Sequence, residues 1–83
     1  MPTAIDVELE LFGKRLRRFR KRSFLNQHEL AQAADLTRQT VLRLEAGSHR
    51  PHVDTVRRLA AAMSITPGQL VPNVDKVWPD RRR

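Results

Sequence analysis

An all-α fold is expected, on three observations. Apolar residues recur at three- and four-residue intervals in five separate stretches, three of those stretches open on an Asn or Thr able to cap a helix, and no credible strand or internal repeat is present. Together they predict one compact domain of five helices over residues 1–71, followed by an extended tail over 72–83. The 83 residues suffice for one domain and not for two. A chain of this size buries roughly 60 to 65 % of its unfolded surface, which leaves little room for an enclosed catalytic cleft.

The first helix is expected from about Val7 to Arg22, where Leu9, Phe12, Leu16 and Phe19 are spaced three, four and three apart. Between them runs KRLRRFRKR, residues 14 to 22, with seven basic positions in nine. The second opens at Asn26, with Glu29 three residues later completing a capping box, and carries Leu30, Ala31 and Ala34 inward. Asp35 and Leu36 break it. Thr37 caps the third, which runs to about Ala46 and ends at Gly47, a residue free to adopt positive φ. The fourth has the stripe Val56, Leu59, Ala60 and Met63, with Asp54 in the first turn where the helix dipole favours an anion. The alanine run 60 to 62 suits close packing. A short fifth begins at Thr66, with Pro67 at its first position and Gln69 closing another capping box, and stops at Pro72.

Sixteen Lys and Arg against nine Asp and Glu give a formal charge of +7. This excess favours polyanionic partners, namely nucleic acid or an anionic membrane surface. A membrane-lying amphipathic first helix is the weaker of the two readings, because Phe12, Leu16 and Phe19 are needed to complete a small core. No apolar run approaches the roughly 18 to 20 residues of a transmembrane helix, and the acidic MPTAIDVELELFG lacks the order of a secretion signal. Cysteine is absent. A soluble cytoplasmic protein is expected.

Residues 27 to 34 and 38 to 46 form two short helices across a tight turn, a helix-turn-helix. In TRQTVLRLEAG, residues 37 to 47, Val41 and Leu44 share one face, leaving Arg38, Gln39, Leu42 and Arg43 on the other. Arginine can donate two bonds to guanine O6 and N7, and glutamine can pair with adenine N6 and N7. Leu42 or the Thr40 methyl could pack on a thymine methyl. The target is therefore expected to be double-stranded DNA.

The segment LNQHELAQAADLTRQTVLRLEAG, residues 25 to 47, resembles the helix-turn-helix of the XRE family, which includes the Cro and repressor proteins of lambdoid phages. The likeness extends from about Leu11 to Val71 and rests on Gln27, Glu29-Leu30-Ala31, Thr37, Val41, Leu44-Glu45, Gly47, Arg50-Pro51 and the stripe of the fourth helix. It implies a lambda-repressor-like five-helix domain in which Arg38, Gln39 and Arg43 read bases, with Thr40 and Leu42 beside them. It also implies phosphate contacts at Gln27 and Arg50, joined as candidates by Thr37, Ser48 and Arg22. Arg20 and Glu45 match a structural ion pair between the first and third helices. The region after the fourth helix is where this family commonly forms its two-fold contact. Leu70, Val71, Val74 and Trp78 are the corresponding homodimer candidates.

Two positions depart from the family pattern. Phe24 and Asp35 stand where glycines with positive φ are usual, and Phe tolerates that conformation poorly. The first connection is therefore expected to differ locally, with Phe24 turned into the core. His52 is a weak cap, so the start of the fourth helix is expected to fray. His28, His49 and His52 have no acidic or cysteine cluster beside them, so no metal and no cofactor is expected. No nucleophile, base and orienting group can be assembled, which argues against an enzyme.

The function expected is a sequence-specific transcriptional regulator, a repressor acting as a dimer on an inverted repeat. The alternative is an antitoxin whose tail, residues 72 to 83, inhibits a toxin protein partner while the same module regulates its own operon.

Overall fold

A computed structural model describes residues 3–72. They form five helices, α1 (Ala4–Arg22), α2 (Gln27–Ala33), α3 (Arg38–Glu45), α4 (Val53–Ala62) and α5 (Pro67–Leu70), and contain no strand. The expected tail, with Val74 and Trp78, lies from residue 73 onward outside the described residues.

α1 begins a turn earlier than its apolar spacing predicts, because the cap is polar. The Asp6 N–H donates to Thr3 Oγ1 at 3.2 Å and the Thr3 N–H donates to Asp6 Oδ2 at 3.0 Å, a reciprocal capping box. The Thr3 backbone N–H, and then its hydroxyl, hold the Asp6 carboxyl below the usual carboxylate range. Equivalent boxes start α2 at Asn26 with Glu29 and α5 at Thr66 with Gln69. At the start of α4, His52 makes no side-chain cap bond.

One core joins all five helices: Phe12 and Leu16 from α1, Leu30 and Ala31 from α2, Val41 and Leu44 from α3, Val56, Leu59 and Ala60 from α4, and Leu70. α2 packs chiefly on α3, α1 crosses α3, and α4 holds α5. α1 comes close to the backbone of α3 at Gly13. A Cβ there would lie 2.5 Å from the Glu45 carbonyl oxygen and 2.9 Å from that of Leu44, so only glycine fits without a shift.

The first four helices end in the same way. In each, the residue after the cap has φ between 56° and 72°: Phe24, Asp35, Gly47 and Ser64. Its N–H, and that of the next residue, return to the last turn. After α1, Phe24 N donates to Lys21 O at 3.0 Å and Leu25 N to Arg20 O at 3.2 Å. After α2, Asp35 N reaches Gln32 O at 3.2 Å and Leu36 N reaches Ala31 O at 2.8 Å. These are Schellman closures, which satisfy carbonyls the helix end would otherwise orphan. Three of the four are built without glycine.

This corrects the expectation for Phe24. The first connection keeps the left-handed turn, and Phe24 points into solvent, 94 % exposed. The reason is register: in a Schellman closure the residue after the left-handed one packs back on the helix. Leu25, like Leu36 and Ile65 in the later turns, packs against the core. Leu25 fills the place that Phe24 was expected to take.

Leu70 and Val71 are 0 % and 3 % exposed, enclosed by their own protomer. Both belong to the core cluster of the protomer.

Candidate nucleic-acid interface

The eight residues of α3 would not hold a helix alone, since isolated helices shorter than about 12 residues are marginal in water. Its stability comes from its fastenings. At the front, the Thr37 hydroxyl accepts from Thr40 N at 3.1 Å and lies 2.9 Å from the Thr40 hydroxyl. At the rear, Ser48 Oγ donates to Arg43 O at 2.9 Å. Below, Val41 and Leu44 are buried in the core.

The side of α3 toward α1 is tied down by charge. Arg20 donates through Nε and Nη2 to the two carboxylate oxygens of Glu45, the second at 3.0 Å, and through Nη1 to Leu25 O at 3.0 Å. Gln27 Nε2 donates to Glu45 Oε1 at 3.2 Å. Both charged side chains are largely buried. The hydrogen bonds it donates to Glu45 push the Arg20 guanidinium above its usual value, against the opposing effect of burial. Three segments thus meet at one carboxylate, α1, α2 and α3, and Arg20 ties the first connection to them through Leu25 O. On the opposite side, Arg58 Nη1 of α4 donates to Asp35 O at 3.2 Å, bracing the turn between α2 and α3.

What remains outward on α3 is Arg38, Gln39, Leu42 and Arg43, all exposed, with Thr40 half-buried. Leu42 is 42 % exposed, a large apolar residue facing solvent between two arginines. Two shallow hollows border α3. One is lined by Arg20, Asn26, Gln27, His28 and Arg38. The other is lined by Arg17, Arg20, Gln27, Leu42, Glu45 and Ala46. Arg20 and Gln27 lie in both.

The sequence-predicted residues divide accordingly. Gln27 lines both hollows, Arg38 one and Leu42 the other, and Gln39 and Arg43 share the outward face. Thr37 and Thr40 are occupied with each other at the helix start. Arg50 is half-buried in the loop beyond α3. Arg22 is exposed on α1, 5.9 Å from the Phe19 ring centre, and lines neither hollow. Sequence reasoning missed Gly13 and Arg17. The only signal for Gly13 was a glycine inside an otherwise helical pattern.

Comparison with known proteins places this geometry. Residues 11–72 match a family model described as a helix-turn-helix domain. The chain belongs to the XRE-type helix-turn-helix family of DNA-binding transcriptional regulators. It is 40 % identical over 48 residues, 58 % of this chain and 70 % of the relative, to an uncharacterised HTH-type transcriptional regulator of Methanothermobacter thermautotrophicus. Among solved structures it is similar to the restriction-modification controller protein C.AhdI from Aeromonas hydrophila. That match has a TM-score of 0.75 and 34 % identity, and covers 77 % of this chain and 97 % of the other. The DNA-binding domain of the P22 C2 repressor shares the fold, with a TM-score of 0.71 at 21 % identity over 76 % of this chain and 83 % of the domain. Among the described residues no helix is long and apolar enough to cross a membrane, and no three His, Cys, Asp or Glu side chains gather to hold a metal.

Proposed function

We propose that this chain is a transcriptional repressor that reads an inverted repeat as a homodimer, with Arg38 and Gln39 on base edges in the major groove. The observation that carries the reading is the outward face of α3. Arg38, Gln39, Leu42 and Arg43 are exposed on a helix that is capped at both ends and fastened behind, through Glu45, to Arg20 and, through Val41 and Leu44, to the core. A recognition helix of this kind enters the groove with its N-terminal residues against the bases. Similarity to a restriction-modification controller along 97 % of that protein's length supports a regulatory role.

One such helix reads only a few base pairs, too few to single out an operator among the sites of a genome, so two are expected. Their half-sites would lie about one helical turn, roughly 34 Å, apart. Occupying a promoter so as to exclude polymerase needs nothing beyond binding.

The test is selection of bound duplexes from a random pool, followed by gel-shift titration of Arg38→Ala. The selected motif is expected to be two-fold symmetric, and the variant to lose roughly 1 to 3 kcal/mol with relaxed preference at one base pair per half-site. Arg50→Ala serves as the comparison, with the same loss on every sequence. A pool that yields no motif, or an Arg38→Ala loss equal on selected and scrambled duplexes, removes the base-reading role.

A further inference from the structure

α1 carries apolar residues on two faces, and one of those faces is left to solvent. Leu9, Phe12 and Leu16 are buried in the core, whereas Val7 and Leu11 are 45 % and 37 % exposed. At about 100° per residue, Val7, Leu11, Arg15, Arg18 and Arg22 fall within about 80° of one another, nearly opposite the buried residues. Arg15 is half-buried and the others are exposed. They form one stripe along the 19 residues of α1, apolar toward its start and basic toward its end. Glu8, half-buried, borders the apolar part.

The order of charges along the stripe selects what can cover it. Among the described residues neither Glu8 nor Arg15 has an ion-pair partner. A second α1 laid antiparallel, with Leu11 on Leu11 at a two-fold axis, sets Val7 and Glu8 against the partner's Arg15 and sets Ala4 against the partner's Arg18. Arginine stems can cover apolar surface while the guanidinium reaches a carboxylate or water. A parallel pair would set arginine on arginine. The hollow lined by Arg17 and Leu42 puts the outward face of α3 on the Arg17 side of α1, about 120° round from the stripe. A two-fold axis perpendicular to both helices turns that side of each copy the same way, so one duplex can meet both α3 helices.

We infer that the two-fold contact of the homodimer is made by α1, paired antiparallel with α1 of a second copy through Val7, Leu11 and reciprocal Glu8–Arg15 ion pairs. The inference rests on the homodimer reading above and names its surface. Two helices about 28 Å long that meet along one stripe bury less than the roughly 1,600 Å² of a standard interface. The free dimer is therefore weak, with dissociation in the range of tens of micromolar, and it is completed on the operator.

Sedimentation equilibrium of the 83-residue chain without DNA, from about 1 μM to about 1 mM, reads the dissociation constant. Leu11→Lys is expected to raise it at least about tenfold. Glu8→Arg and Arg15→Glu are each expected to raise it about tenfold, since every change acts twice across the axis, and the double variant to return it to within about threefold of the parent. Net charge alone predicts otherwise: Arg15→Glu makes each chain of +7 less basic and would ease association. A parent that stays monomeric at about 1 mM, a dissociation constant unmoved by Leu11→Lys, or a double variant no tighter than the singles overturns the inference. So does a Leu11→Lys thermal midpoint that falls by more than about 4 °C at about 1 μM, which would mean that the stripe is covered by its own chain. Duplex selection separates the two failures: a two-fold symmetric motif, bound by a dimer indifferent to these substitutions, leaves the homodimer reading standing while the α1 surface falls.

Discussion

Replacing Gly13 by alanine sets two effects of opposite sign against each other. Inside a helix, Gly→Ala ordinarily stabilises by about 1 kcal/mol, because the unfolded glycine has more freedom to lose. Here the new Cβ would sit 2.5 Å from the Glu45 carbonyl oxygen and 2.9 Å from that of Leu44, where real Cβ atoms essentially never come within 3.0 Å. The obstacle is backbone, so α1 and α3 must separate by about half an ångström, and they do so beside the Arg20–Glu45 pair. Overpacking of this kind costs roughly 1 to 3 kcal/mol, and the upper end applies because no flexible side chain can yield. Subtracting the helical gain leaves a net loss of about 2 kcal/mol. At roughly 4 to 8 °C per kcal/mol for a domain this size, the thermal midpoint should fall by about 8 to 16 °C. Circular-dichroism melts, with urea titrations to confirm an unchanged m-value, measure it. A midpoint equal to or above that of the parent would refute the claim that backbone contact sets the spacing of α1 and α3.

Phe24→Gly should stabilise the domain by roughly 0.5 to 1 kcal/mol, since φ of 58° costs phenylalanine about 1 to 2 kcal/mol and its exposed ring contributes little packing; a destabilised variant in urea titration would show that the ring has a partner. Glu45→Ala should cost about 3 kcal/mol, the lower end for breaking a largely buried pair, because it strands the Arg20 guanidinium and frees Gln27. A loss under about 1 kcal/mol would mean that water replaces the carboxylate. Leu42→Ala should change stability by no more than about 0.5 kcal/mol. It should nevertheless lower affinity for the selected duplex, and replacing the thymine at the contacted position with uracil should lower affinity for the parent but not for the variant.

The helices were legible because their signals are local. Asn26 with Glu29 and Thr66 with Gln69 are reciprocal pairs three residues apart, and the stripe of α4 needs only its period. Thr3 with Asp6 carries the same kind of signal, and was overlooked because the apolar spacing starts later. Phe24 is different. Its own preference argues against positive φ, yet the turn is set by Leu25, whose burial outweighs the strain one residue earlier. The outward face of α3 followed from periodicity, since the buried Val41 and Leu44 define what lies opposite. Gly13 and Arg17 were not legible in that way. A glycine inside a helix reads as a local cost until the carbonyls across from it are known. Seven basic residues in nine carry no ranking until the rotation of α1 shows which of them faces α3.

That rotation bears on recognition as much as on stability. Side-chain tips ride about 5 to 6 Å from a helix axis, so turning α3 by about 20° would carry the Arg38 guanidinium roughly 2 Å. A bidentate bond to a base edge does not survive such a displacement. The net charge of +7 attracts any duplex, but it cannot hold a guanidinium to a fraction of an ångström. What can is the set of fastenings behind α3: the Thr37 cap, the Ser48 bond to Arg43 O, and Glu45 held by Arg20 and Gln27. Sequence preference is therefore expected to depend on residues that touch no base. Substitution of Glu45 should blur discrimination between half-site variants even at temperatures where the variant remains folded. If Glu45→Ala kept the parent's base preferences at full strength while losing stability, the orientation of α3 would have to be fixed by the buried pair Val41 and Leu44 with the Thr37 and Ser48 caps, without the ion pair.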